Sequence, residues 1–158
     1  MKYFLLLALA VTLGCSEDPC PGGRFAEFPD AGVAVCWQEN PTSVEYTAEE
    51  AHKYCHDLTA DGYSDWHTPH YRAYEYMLDG CDPDTSTCYS CAESLMCSQV
   101  FGNDEGCYWA VGYGNEPGME ATGGTQYMFV CLGTGEIIGD PPDGIALPVQ
   151  CARIIAID

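Results

Sequence analysis

Eleven cysteines stand behind a short apolar leader, and this combination limits what the chain can fold into more than any other feature. Met1-Lys2 is a minimal positive start. Tyr3 to Leu13 is an apolar run of eleven residues, too short to cross a bilayer as a helix. It ends in T-L-G-C, close to a bacterial lipobox, with Gly14 before Cys15 and Thr12 where Leu is usual. An ordinary secretory cleavage nearby is the alternative. If Cys15 carries lipid, ten cysteines remain, an even number suited to disulfides in an oxidising compartment. The expected organisation is a lipoprotein signal peptide over 1–14, a tether over 15–23 and one domain over 24–158. The expected location is the bacterial cell envelope, on the extracytoplasmic side, with the outer membrane favoured. The only membrane contact would be acyl chains, worth about 0.8 kcal/mol per buried CH₂.

Charge narrows the partners. Five Lys and Arg face 24 Asp and Glu, a formal net charge of −19. Such a field argues against nucleic acid, heparin-like polymers and anionic membrane surfaces. It suits cation binding, or a neutral or basic ligand. It also makes the folded chain repel itself, which disulfides oppose by restricting the unfolded state.

The run from Cys36 to Pro69 is the most structured part of the reading. Val33 to Gln38 reads as a strand, broken by Asn40-Pro41. Thr47 and Glu50 form the S/T-x-x-E capping box, with Tyr46 and Ala51 at the staple positions. Ala51, Tyr54, Cys55 and Leu58 follow at i, i+3, i+4 and i+7, one helical stripe ending near Thr59. Tyr63 and Trp66 bracket a tight turn, and Pro69 opens a second helix over His70 to Leu78, with Tyr71, Tyr74 and Leu78 inward. Gly80 to Gly106 reads as a disulfide-knotted insertion with at most one helical turn near Glu93 to Val100. Strands are expected over Cys107 to Val111, Thr125 to Leu132 and Ala146 to Ile157, with Glu136 to Ile138 as a hairpin arm.

Trp37-Gln38, the Ala51/Tyr54/Cys55/Leu58 helix and G-Y-S-D-W over Gly62 to Trp66, followed by Pro69, resemble the Lcl C-terminal domain family, formerly a domain of unknown function. Tyr108-Trp109 and V-Q-C-A-R over Val149 to Arg153 match its later strands. The resemblance spans roughly Gly22 to Ile155. It departs at His67, Thr68, His70, Ala73 and Gln150, where the family has Arg, Leu, Thr, Glu and Arg. It implies an α+β, disulfide-rich variant of the C-type lectin-like fold, related to formylglycine-generating enzymes, with one or two short helices on small antiparallel sheets. It also implies a Cys55–Cys151 bond from first helix to last strand. Cys20–Cys36 would staple the tether to the first strand, and Cys107–Cys131 would tie two late strands. Cys81, Cys88, Cys91 and Cys97 then pair among themselves in one of three ways.

The function this implies is a lectin-like ligand-binding or adhesion module on a lipid anchor, not an enzyme, with a glycan or a surface protein as ligand. The alternatives are a structural envelope lipoprotein without a specific ligand, and a formylglycine-generating-type enzyme. The latter use a reactive cysteine pair near the C-terminus, whereas only Cys151 follows Cys131 here. Candidate ligand contacts are Tyr89, Tyr113 and Glu116. Glu116 belongs to Asn115-Glu116-Pro117, which is similar to a lectin sugar motif but ends in Gly118 and lacks a later W-N-D. Tyr71, Tyr74, Tyr76 and Tyr127 extend the supply of rings that can stack on sugars or fill the core. Asp79, Asp82 and Asp84, with Asn103, Asp104 and Glu105 nearby, offer hard oxygens for Ca²⁺, though not at EF-hand spacing. His52 and His56 stand at i and i+4, where two imidazoles can share zinc, yet the H-E-x-x-H glutamate is absent. Recognition is expected on the loops Asp79 to Gly106 and Gly112 to Gly124, and Trp66 is expected to be buried. Mass spectrometry of the mature N-terminus should find an acylated Cys15; an unmodified chain starting elsewhere would remove the anchor.

Overall fold

A computed structural model describes residues 20–21, 23–29, 32–82, 87–113 and 124–157. The leader, Cys15, Asp84 and Glu116 lie outside them, as does the Tyr113 side chain. The elements run β1 (Gly23–Phe28), β2 (Val33–Gln38), α1 (Ala48–Asp57), α2 (Tyr71–Leu78), α3 (Leu95–Phe101), β3 (Cys107–Tyr113), β4 (Thr125–Cys131), β5 (Glu136–Gly139) and β6 (Ala152–Ala156). Two antiparallel three-stranded sheets result, ordered β1-β2-β6 and β3-β4-β5. The fold is therefore α+β and disulfide-rich, with three short helices among the described residues. No helix among the described residues is long and apolar enough to cross a membrane.

Strand alternation distributes side chains between two cores. Trp37 of β2, Tyr108 and Ala110 of β3, and Met128 and Val130 of β4 enter the larger core with α2 and α3. Their neighbours Cys36, Trp109, Phe129 and Cys131 enter the second core with Ala51 and Cys55 of α1. A period of two sends successive residues to opposite faces, so these strands read as unbroken apolar runs. Trp37 is the hub of the larger core, with its ring 4.9 Å from Tyr74 and 5.1 Å from Phe101.

α1 starts as its capping box requires. The Glu50 carboxylate accepts from the Thr47 backbone N–H at 3.0 Å and from the Thr47 hydroxyl at 2.8 Å. Tyr46 stacks on Tyr54 at 5.2 Å, a turn beyond the staple partner Ala51. α2 begins later than Pro69 suggests, because His70 caps it by accepting from the Arg72 N–H. α3 corrects the expected irregular insertion. Ser94 caps it, Gly102 ends it at φ 69°, and Cys97, Val100 and Phe101 are buried on one side.

The final strand is shorter than Ala146 to Ile157. Pro148 lacks the N–H a ladder needs, and the segment before β6 serves scattered partners instead. Leu147 exchanges two backbone bonds with Tyr46, Pro148 accepts from Trp109, and Cys151 accepts from Gln38. β1 adds a strand that the sequence pattern does not mark, because Gly23 and the charges of Arg24 and Glu27 obscure a strand whose Ala26 and Phe28 are buried. The packed body also reaches back into the expected tether, since Cys20 is buried.

All ten described cysteines pair: Cys20–Cys36, Cys55–Cys151, Cys81–Cys88, Cys91–Cys97 and Cys107–Cys131. The Cys55 and Cys151 Cα atoms are 5.4 Å apart, well within bonding reach. Their loop is worth about 4.7 kcal/mol in the chain-entropy model, often less in practice.

The G-Y-S-D-W run closes the structure. Asp61 (φ 55°) and Gly62 (φ 83°) form a left-handed pair, while Ala60 and Tyr63 exchange backbone bonds of 3.0 and 2.9 Å, the pattern of a type I′ turn. Beyond it the Arg153 guanidinium lies 3.3 Å from the Tyr63 ring centroid and 5.8 Å from that of Trp66. Arg153 Nε donates to Asp65 Oδ1 at 2.6 Å. Arg153 is almost wholly buried, whereas the Asp65 side chain is 57% exposed. That hydrogen bond holds the Asp65 pKa below the usual carboxylate value. Trp66→Ala should cost about 3–5 kcal/mol in denaturant unfolding, as for other buried aromatics. Asp65→Asn should cost about 1–2 kcal/mol at pH 7, because one partner of the buried cation remains exposed to water. A depressed folded pKa means this contribution is present above about pH 4 and fades as pH falls through the lowered value. Wild-type and Asp65→Asn melting temperatures should therefore converge in acid; a constant gap would refute the ion-pair origin.

Candidate functional site

A groove of about 550 Å³ lies at the Thr125 end of β4. Three pieces of chain build it. The first turn of α1 forms one wall with Thr47, Ala48 and Glu49. Thr125, Gln126 and Tyr127 form the second, with Trp109 beneath. The turn from Asp140 to Ile145, after β5, forms the third.

Backbone pairing fixes these pieces relative to one another. The Tyr46–Leu147 bridge holds the start of α1 against the chain leaving the turn. Trp109 donates its indole N–H to the Tyr46 carbonyl at 2.7 Å and meets Phe129 edge-on. β4 pairs with β5 up to Met128↔Gly139, so the turn begins beside Tyr127. Gln126 donates its amide to Asp140 Oδ1 at 3.0 Å. Asp140 takes φ 49°, a conformation Asp tolerates better than most residues, and Gly144 takes φ 79°. Between them stand Pro141 and Pro142, and the Pro142 carbonyl accepts from the Ile145 N–H at 3.3 Å.

The groove is acidic. Glu49, Asp140 and Asp143 line it, all exposed, and among the described residues no Lys, Arg or His does. The Tyr127 hydroxyl pKa is raised, first by burial and second by the charge of Glu49. His52 lies just behind, its ring 6.2 Å from Tyr127 and its Nδ1 3.4 Å from the Thr68 hydroxyl.

The residues singled out in the sequence are distributed unevenly around this groove. The Tyr113 backbone pairs with Thr125, which brings the end of β3 to its rim. Tyr127 is part of it. Tyr89 is not: the Cys88 N–H bonds the Gly135 carbonyl, beyond the far end of β4, roughly 20 Å away by strand rise. Tyr89 is 56% exposed there, its ring laid so close to Gly80 that a Cβ would stand 2.4 Å from it. Asp79 caps α2 at φ 63° and Asp82 pairs with Thr87. Among the described residues no three His, Cys, Asp or Glu side chains gather as a metal would need. His52 and His56 diverge, since His56 turns to Asp57 at 3.4 Å. Glu49, Gln126, Asp140 and Asp143 carried no sequence signal beyond loop and helix-start chemistry. Only the turn residues D-P-P-D-G marked the third wall, and they mark many surface turns equally well.

Compared with protein families, with curated proteins and with solved structures, the chain matches none.

Proposed function

We propose that this protein is an envelope lipoprotein, anchored through Cys15, whose body is a non-enzymatic lectin-like binding module of the Lcl C-terminal type, with a glycan as ligand. The observation that carries this reading is the groove at the Thr125 end of β4. Its volume falls in the usual range for ligand sites, about 300–1,000 Å³. Its walls mix an aromatic ring and apolar surface with amide, hydroxyl and carboxylate groups, the combination that stacks on sugar faces and binds their hydroxyls. Its third wall is a turn held by two prolines and a side-chain bond, so little ordering remains for binding to impose. The signature G-Y-S-D-W, by contrast, is spent on clamping Arg153 and belongs to the scaffold.

A glycan array probed with the full-length protein, with and without added Ca²⁺, tests the reading. A reproducible set of bound glycans is the expected result, and a blank array in both conditions would favour a structural lipoprotein. Tyr127→Ala should then weaken binding about tenfold with little change in melting temperature. Loss of binding in Tyr89→Ala instead would move the site to the opposite end of β4.

A further inference from the structure

The groove's electrostatics narrow the class of glycan. Glu49 lines the groove from the first turn of α1, and Asp140 and Asp143 line it from the turn after β5, so two of its walls carry carboxylates. No basic side chain among the described residues lines the groove to neutralise them, and the chain as a whole carries −19. A sulfated, phosphorylated or uronic-acid glycan entering here would meet like charge on two walls, which costs affinity and slows encounter. A cation would be drawn in and held.

The neutral lining decides what kind of cation. Thr125, Gln126 and the Tyr127 hydroxyl present hydrogen-bonding groups along one wall, while Pro141, Pro142 and Ile145 present apolar surface along another. A lysine side chain reaching in from a protein would want a narrow apolar slot for its four-carbon stem. The groove is broad and mixed, a better match to a ring that carries hydroxyls around its edge and apolar C–H groups on its faces.

We propose that the groove takes a glycan bearing free amino groups, an unacetylated hexosamine, whose ammonium groups meet the separate carboxylates of Glu49, Asp140 and Asp143. This rests on the lectin-like reading above. Asp140 already accepts from Gln126 through Oδ1, which orients its carboxylate before any ligand arrives. Such preorganisation leaves more of each contact as affinity.

Titration calorimetry on the full-length protein tests it with three probes: glucosamine oligomers, the same oligomers N-acetylated, and oligolysine of matched charge. Glucosamine oligomers should bind, N-acetylation should weaken them about tenfold or more, and raising the salt should weaken the amino form selectively. The combined variant Glu49→Gln, Asp140→Asn, Asp143→Asn removes three charges at nearly constant shape, and Asn keeps both the left-handed conformation and an acceptor for Gln126. It should lose about tenfold or more in affinity for glucosamine oligomers. A control set outside the groove, Glu27→Gln, Glu39→Gln and Glu105→Gln, should change it little. Equal binding of the acetylated oligomers would overturn the amino-group proposal and leave the lectin-like reading standing. No binding of either glycan in calorimetry, together with a blank array, would overturn both. Oligolysine binding as tightly as the amino glycan, or equal losses in the two variant sets, would reduce the effect to bulk charge and overturn the proposal.

Discussion

Arg153 sits in the last strand with its guanidinium enclosed by Tyr63 and Trp66 and its charge matched by Asp65, and the rest of the structure hangs on that enclosure. In a chain with only five basic residues, burying one is costly unless a carboxylate and ring faces replace its water. Two residues before it, Cys151 is bonded to Cys55 of α1. The end of the chain is thus tied to the first helix covalently and to the turn after that helix electrostatically. His67 and Ala152 add a pair of backbone bonds at the same place. With this seam closed, β6 can complete the sheet beside β2, and the second core has its wall.

The two cores share strands, which links the fold to the groove. A residue moved in β3 or β4 disturbs Trp37, Tyr74 and Phe101 on one side and Trp109 and Phe129 on the other. The groove sits where this sheet runs out, on the rim of the second core, so its floor is rigid although its rim is exposed. Trp109 is the joint: its ring belongs to the core, its indole N–H holds the start of α1, and its edge underlies the groove. The Cys81–Cys88 and Cys91–Cys97 bonds stiffen the opposite end, where Tyr89 stands. The groove and the Cys81–Cys88 and Cys91–Cys97 bonds therefore occupy different ends of one strand.

The acidity of the chain acquires a local meaning from this placement. A net charge of −19 by itself speaks of repulsion, solubility and the exclusion of anionic partners. Three of those carboxylates are gathered by α1 and the post-β5 turn around one concave space with an aromatic floor. A field spread over a surface discriminates poorly, whereas charge gathered along a cleft can select by both sign and shape.

Local physics made much of the fold legible in the residues. Val33 to Gln38, the Thr47–Glu50 cap, the α1 stripe and the hairpin arm at Glu136 depend on neighbours within a few positions, and they form as the pattern dictates. The burial of Trp66 followed from a turn that few residues permit. The three pairs Cys55–Cys151, Cys20–Cys36 and Cys107–Cys131 agree with the expectation. The remaining four cysteines stay open in the sequence, because spacing alone does not say which sulfurs meet; Cys81–Cys88 and Cys91–Cys97 form where Cys88 and Cys91 bond the Gly135 and Leu132 carbonyls beside the β4–β5 turn. β1 and α3 were hidden since their stability comes from burial against distant elements rather than from their own periodicity. The groove was hidden most completely. Glu49, Tyr127 and Asp143 are far apart along the chain; Tyr127 is one of several candidate rings, and nothing local marks Glu49 or Asp143 as part of a site. They share a cleft because Tyr46 pairs with Leu147 and β4 pairs with β5, contacts between residues that only the tertiary structure brings together.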